Sequence, residues 1–217
     1  MSLYSMEEFG NSIVEIFPEK SLNINKNMEE FQQEELIKTL QKHSYAYAWE
    51  YTEMKGINPE TCIHHIYIEE NSRPIIQSQR RMNPNLREIV KEELQKLLYV
   101  NFIYPISDSQ WVSSLVVVPK NNGKWRVCID YRELNKATLK YHFPLPCIDQ
   151  VFDTLARKKY FSFLDGFSGY NQIQVAPEDQ DKTTFTYPWG TYAYRVLPFG
   201  LCNAPTSFQR VVLGIFF

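Results

Sequence analysis

The 217-residue sequence has no apolar run near the ~18 residues that a membrane-spanning helix requires. Its start, MSLYSMEEFG, carries acids where a secretory signal needs basic residues. Both absences predict a soluble, intracellular protein without a membrane partner, and leave cytoplasm and nucleus undecided. Cysteine is scarce: Cys62, Cys128, Cys147 and Cys202 are scattered, with no C-x-x-C pair. His43, His64, His65 and His142 bring no zinc-ligand spacing beside them. Buried free thiols are therefore expected rather than a thiolate metal centre. No two aspartates are adjacent anywhere in the chain. What the sequence does have is apolar content, 44% hydrophobic and 15% aromatic against 22% charged residues. That is enough to offset ordering entropy and to build one or two domains with a core.

A formal net charge of −2 hides an asymmetry. Residues 1–72 hold 5 Lys+Arg against 13 Asp+Glu, whereas residues 73–217 hold 18 against 12. The reversal predicts an acidic connector over 1–72 and a basic body over 73–217. Clustered cations suit a polyanion because they release its condensed counterions. A solvated charged face gives the same count, so charge alone leaves both readings open.

In the leader, Phe31, Leu36, Ile37 and Leu40 recur on one face and predict a helix over 29–42. The rest of the leader reads as loop, and residues 45–71, broken by Gly56 and Pro59, read as a tether. Asn83-Pro84 is a helix-start signal, followed by Leu86, Ile89, Val90, Leu94, Leu97 and Leu98 at helical spacing over 84–100. Two β-branched runs around Asn121-Asn122-Gly123 predict a hairpin over 113–131. Its second strand alternates, with Trp125, Val127, Ile129 and Tyr131 on one face and Lys124, Arg126, Cys128 and Asp130 on the other. Ile148, Val151, Phe152 and Leu155 mark a further helix, and YFSFLD reads as a buried strand ending at Asp165. A second hairpin is expected over 183–196 around Pro188-Trp189-Gly190, then a helix from Pro205 with Phe208, Val211, Val212, Ile215 and Phe216 on its apolar face. That face has no evident covering element and is expected to drive self-association.

Among residues able to carry chemistry, Asp165 stands out: a carboxylate at the end of an apolar strand, beside glycines, can meet a metal or a phosphate. A turn-capping aspartate would occupy the same place. Lys120, Lys124 and Arg126 flank the Asn-Gly turn, where they either reach over a triphosphate or form a solvated hairpin tip.

The runs NGKWRVCIDYRELNKAT, FPLPCIDQVFDTLARKKYFSFLDGFSGYNQI and DKTTFTYPWGTYAYRVLPFGLCNAPTSFQR, in that order, resemble the fingers and palm of a reverse transcriptase from the Pol polyprotein of a plant-type gypsy-class LTR retrotransposon. The resemblance covers about residues 73–217, and YAWEYTEMKGINPETCIHH looks like the connector that precedes such a polymerase. It implies an α+β fold, the fingers and an incomplete palm of a right-hand polymerase. It also implies nucleotidyl transfer from a dNTP to a primer 3′-hydroxyl on an RNA or DNA template.

Residue by residue, the resemblance makes Asp165 the first metal-binding aspartate, with the Gly166 carbonyl completing its contact to Mg²⁺. Tyr170 becomes the aromatic gate beneath the incoming sugar. Ser168 and Gly169 offer backbone amides to the phosphates, Arg126 with Lys120 or Lys124 lies over the triphosphate, and Phe199 and Gly200 line the nucleotide pocket.

Two-metal transfer needs further carboxylates, which in this family come from a Tyr-x-Asp-Asp hairpin. The chain is expected to stop before it, and so to have little or no polymerase activity alone. Alternatives are a non-catalytic nucleic-acid-binding module and a retrotransposon relic.

Overall fold

The computed structural model describes residues 11–18, 20–119, 123, 125–144, 146–156, 158, 162 and 165–216. The chain forms two compact units, Met1–Glu53 and Met54–Phe217.

In the first unit, β1 (Asn11–Phe17) and β2 (Lys20–Asn25) form an antiparallel hairpin where the sequence predicts loop. The alternation in SIVEIF favours a strand, and Pro18, with φ fixed and no N–H, suits the turn that ends it. Ile16 and Ile24 are buried, and α1 (Glu30–Lys42) lies against β1. The expected apolar face of α1 is only half-buried at Leu36, Ile37 and Leu40, and Phe31 is exposed.

The second unit begins before the expected boundary at Ser72, because residues 54–72 fold into it. β3 (Ile63–His64) pairs in parallel with β7 (Gln174–Val175), and Cys62, His64 and Ile66 are buried. Composition marked this stretch as acidic leader, yet every second side chain from Cys62 to Ile66 faces the core, which a charge count does not see.

α2 (Pro84–Tyr99) is capped by Asn83, whose Oδ1 accepts from the Asn85 amide at 2.9 Å, and it buries Val90, Leu94 and Leu97. A five-stranded sheet follows, built from β4 (Ile103–Pro105), β5 (Ser113–Pro119), β6 (Trp125–Asp130), β8 (Phe185–Tyr187) and β9 (Gly190–Tyr194). Its order is β4-β9-β8-β5-β6, antiparallel except where β5 meets β8. Both expected hairpins are present as β5/β6 and β8/β9. Tyr131, at the end of β6, is fully buried and donates its hydroxyl to the Thr183 carbonyl at 2.9 Å, tying the long hairpin to the 3-10 turn before β8.

α3 (Arg132–Ala137), α4 (Ile148–Leu155) and α5 (Ala204–Phe216) complete the unit. The apolar face of α4 does not enter the core: Ile148 and Phe152 are 69% and 63% exposed. One expectation needs correction. The apolar face of α5 is not uncovered: Val211 is buried at 4% exposure and Phe208 and Val212 are half-buried, leaving Ile215 exposed among the described residues of that face. The face is covered because the turn after Asp165 packs on Phe208 while His64 meets Ser207. The expected strand through Tyr160, Phe161, Phe163 and Leu164 lies outside the described residues. All four cysteines are free thiols. Among the described residues no helix is long and apolar enough to cross a membrane.

Candidate functional site

Asp165 is exposed and sits in irregular backbone, followed by Gly166 and a tight turn. Ser168 adopts the left-handed conformation, φ 46°, unusual for a residue with a Cβ. Asn171 stabilises it twice: its backbone amide donates to the Ser168 carbonyl and its Nδ2 to Ser168 Oγ, both at 2.8 Å. A 3-10 turn, Gly169–Gln172, carries Tyr170. Gln172 Nε2 donates to the Phe167 carbonyl at 2.9 Å, and the Gln172 carbonyl accepts from the Ile57 amide at 2.7 Å. The turn is thus fastened on both sides before the chain enters β7.

The second part of the site lies about thirty residues later in the chain. Leu197, Pro198 and Leu201 are buried, and between them Phe199 (62% exposed) and Gly200 are held outward. Gly200 has φ 101°, where only glycine is unstrained. The loop is held from α3 by a residue that the sequence reading missed: Asn135 Nδ2 donates to the Gly200 carbonyl at 2.7 Å, while its Oδ1 accepts from the Cys202 amide at 2.8 Å. Asn203 repeats the device, donating to the Leu139 carbonyl at 2.8 Å and accepting from the Tyr141 amide at 3.1 Å. These bonds span more than sixty residues, so no local periodicity announces them.

The two parts meet ring to ring. Tyr170 lies 4.8 Å from Phe199, centroid to centroid, and 5.5 Å from Phe208 of α5 in an edge-to-face arrangement of 74°. Burial pushes the Tyr170 hydroxyl above its ordinary pKa. Of the predicted site residues, Asp165, Gly166, Ser168, Gly169 and Tyr170 share one turn, which meets Phe199 and Gly200 through these rings. Arg126 is exposed on β6, opposite Val118 of β5, and is not joined to that cluster by any ion pair among the described residues. Lys120 and Lys124 lie outside the described residues.

Beside the hairpin, a cavity of about 260 Å³ is lined by Arg80, Val116, Cys128, Ile129, Asp130 and Arg132. Asp130 accepts from Arg80 and Arg132, both at 2.7 Å, and the Arg132 guanidinium holds its carboxyl below the usual range. Arg80 also donates to Ser114 Oγ at 3.2 Å, joining the segment before α2 to β5. The signal for this cluster was visible in the Arg80-Arg81 pair and in Asp130-Tyr131-Arg132, but the partnership was not.

Among the described residues, the group that brings metal-binding side chains within ligand spacing is His65, Glu178 and Asp179, which excludes Asp165. There Asp179 is already engaged by the Lys182 ammonium, the Ile66 amide at 3.0 Å and His65 Nδ1 at 3.2 Å, an arrangement that struts β3 against the turn before β8. At Asp165 the donor set is one exposed carboxylate with a neighbouring backbone carbonyl. That set fits Mg²⁺, which keeps several waters and binds through one or two carboxylates together with substrate phosphates.

Residues 118–217 match the family described as "Reverse transcriptase (RNA-dependent DNA polymerase)". The Retrovirus-related Pol polyprotein from transposon 412 of Drosophila melanogaster is 40% identical over 66% of this chain. An RNA-directed DNA polymerase homolog of Oenothera berteroana is 42% identical over 42% of it. The chain spans 12% of the first relative and 65% of the second. Among solved structures, a Prototype Foamy Virus Protease-Reverse Transcriptase superposes over 87% of this chain and 25% of its own, with a TM-score of 0.76 and 26% identity.

Proposed function

We propose, because this chain belongs to the reverse transcriptase (RNA-dependent DNA polymerase) family, that it supplies the fingers and part of the palm of a retrotransposon polymerase. In this reading it binds a primer–template and a magnesium-bound dNTP. The observation that carries the reading is the convergence of the Asp165–Tyr170 turn with the Phe199–Gly200 loop through the 4.8 Å ring pair.

Asp165 and the Gly166 carbonyl would hold Mg²⁺, which when bound neutralises charge on the phosphates and the attacking and leaving oxygens. The chain's own residues do the rest of the positioning. Tyr170, made rigid by two aromatic neighbours, forms the floor under the sugar and leaves no room for a 2′-hydroxyl. The amides of Ser168 and Gly169 face the triphosphate, and Arg126, with Lys120 and Lys124, closes over it as a charge-assisted clamp. Phe199 and Gly200 bound the pocket on the other side. The exposed Arg132 engages the phosphate backbone of the template duplex.

The test is a titration of Mg-dNTP into the chain on a labelled primer–template. Expected are a dNTP-stabilised complex and its loss in Asp165→Asn. Nucleic-acid binding indifferent to Asp165 and to dNTP would instead favour a binding module that retains only the basic fingers surface.

A further inference from the structure

The Asp165–Tyr170 turn rests on a side chain that no motif reading singles out. A Cβ placed on Gly169 would lie 2.8 Å from two atoms of the Phe208 ring, and one on Gly166 would lie 3.3 Å from it. The phenyl group therefore touches the backbone of the turn at two points, through space that two glycines leave free. The same ring meets Tyr170 edge to face at 5.5 Å.

Phe208 is itself held by the start of α5. Ser207, next to it in sequence, is bonded to the buried His64 Nδ1 at 2.8 Å, and its amide donates to the Asn203 carbonyl at 3.0 Å. Asn203 is in turn fixed to the Leu139 carbonyl and the Tyr141 amide. A ring on so constrained a backbone sets the height of whatever it supports.

We infer that Phe208 is a positioning residue for sugar selection: by filling the space under Gly166 and Gly169 it fixes the level of Tyr170, and so the clearance at the 2′ position of the bound nucleotide. The inference rests on the reading of Tyr170 as the floor of a nucleotide pocket. Phe208 touches no nucleotide; it acts through Tyr170. A smaller side chain at 208 lets the Tyr170 ring settle, which opens room for a ribose hydroxyl without removing any group that binds phosphate or metal.

The test uses the full chain on a primer–template with one templating thymine, titrated with Mg-dATP and Mg-ATP in competition. Wild type is expected to favour dATP. Phe208→Leu is expected to lower that preference about tenfold, the equivalent of ~1.4 kcal/mol, chiefly by raising affinity for ATP. Because loss of packing alone weakens both ligands together, the ratio separates positioning from a structural role. Gly169→Ala keeps the assay informative should Phe208→Leu fold poorly: alone it is expected to lift the turn and weaken dATP binding, and Phe208→Leu added to it is expected to restore dATP binding by giving the new methyl room.

A wild-type preference unchanged in Phe208→Leu, or a double variant worse than Gly169→Ala alone, overturns the positioning role while leaving the proposed function intact. Failure of wild type to bind Mg-dATP at all overturns both.

Discussion

His64 is the residue through which pH reaches the fold. Its ring is 3% exposed, and burial lowers its pKa from 6.5 to about 4, against the opposing pull of the Asp179 carboxylate. In the unfolded chain the imidazole returns to its ordinary value, so between pH 6.5 and about 4 the unfolded state binds a proton that the native state does not. Stability therefore falls as pH falls through that window, by roughly 3 kcal/mol at most. Urea unfolding from pH 7 to 4 should show this slope, and His64→Gln, which keeps a partner for Ser207 without the titration, should flatten it. At this scale the sequence was legible where motif words name residues that meet: Tyr170 and Phe199 lie ring to ring. It was illegible at Phe208, Asn135 and Asn203. Their importance depends on what lies across the fold, whereas periodicity reports only the face on which a residue lies.

Among the elements, the loop from Leu197 to Leu201 depends on α3. Asn135→Ala would remove the hydrogen bonds to the Gly200 carbonyl and the Cys202 amide, which are within reach of water, so a loss of about 0.5–1.5 kcal/mol is expected in denaturant unfolding, with a lower midpoint and an unchanged slope. Asn135→Asp keeps the acceptor for Cys202 but loses the donor to Gly200, and should fall between. α4 makes the opposite case. Its apolar spacing reads as a core helix, but Phe152 is 63% exposed, so Phe152→Gln should change stability by no more than ~0.5 kcal/mol. A core position would lose several times that. Periodicity found α1, α2, α4, α5 and both hairpins of the five-stranded sheet, because each pattern is local. It missed β1 and β2, where short strands around Pro18 resemble a loop, and it misjudged what covers α5, since amphipathicity states that a face is apolar and not what it meets.

For the whole molecule, charge sets the terms of association. The basic body presents Arg126 as an exposed cation on β6 and Arg132 as one lining the cavity. With Arg132 on a duplex phosphate and Arg126 over the dNTP, Arg132→Gln should reduce the slope of log affinity against log salt by about 1, and Arg126→Gln should leave it unchanged. Fluorescence anisotropy with a labelled primer–template across a salt series measures this, and an unchanged slope in Arg132→Gln would place the duplex elsewhere. Self-association through α5 is weakened as an expectation by the burial of Val211, which leaves Ile215 as its exposed apolar residue among those described. Charge alone places the end of the connector at Ser72, but the compact units divide after Glu53, because side chains between Cys62 and Ile66 bury themselves in the second unit whatever the charge around them.

Template-directed choice of nucleotide distinguishes a polymerase site from a basic surface that merely holds nucleic acid. The experiment is to bind the full chain to four primer–templates that differ only in the templating base, and to measure in Mg²⁺ which dNTP stabilises each complex against competitor duplex. The complementary dNTP should stabilise its own complex in every case, and Asp165→Asn should remove the effect while leaving binary binding to the duplex intact. Stabilisation that ignores the templating base, or that survives loss of the Asp165 carboxylate, would mean that the aromatic turn and loop do not form a nucleotide pocket.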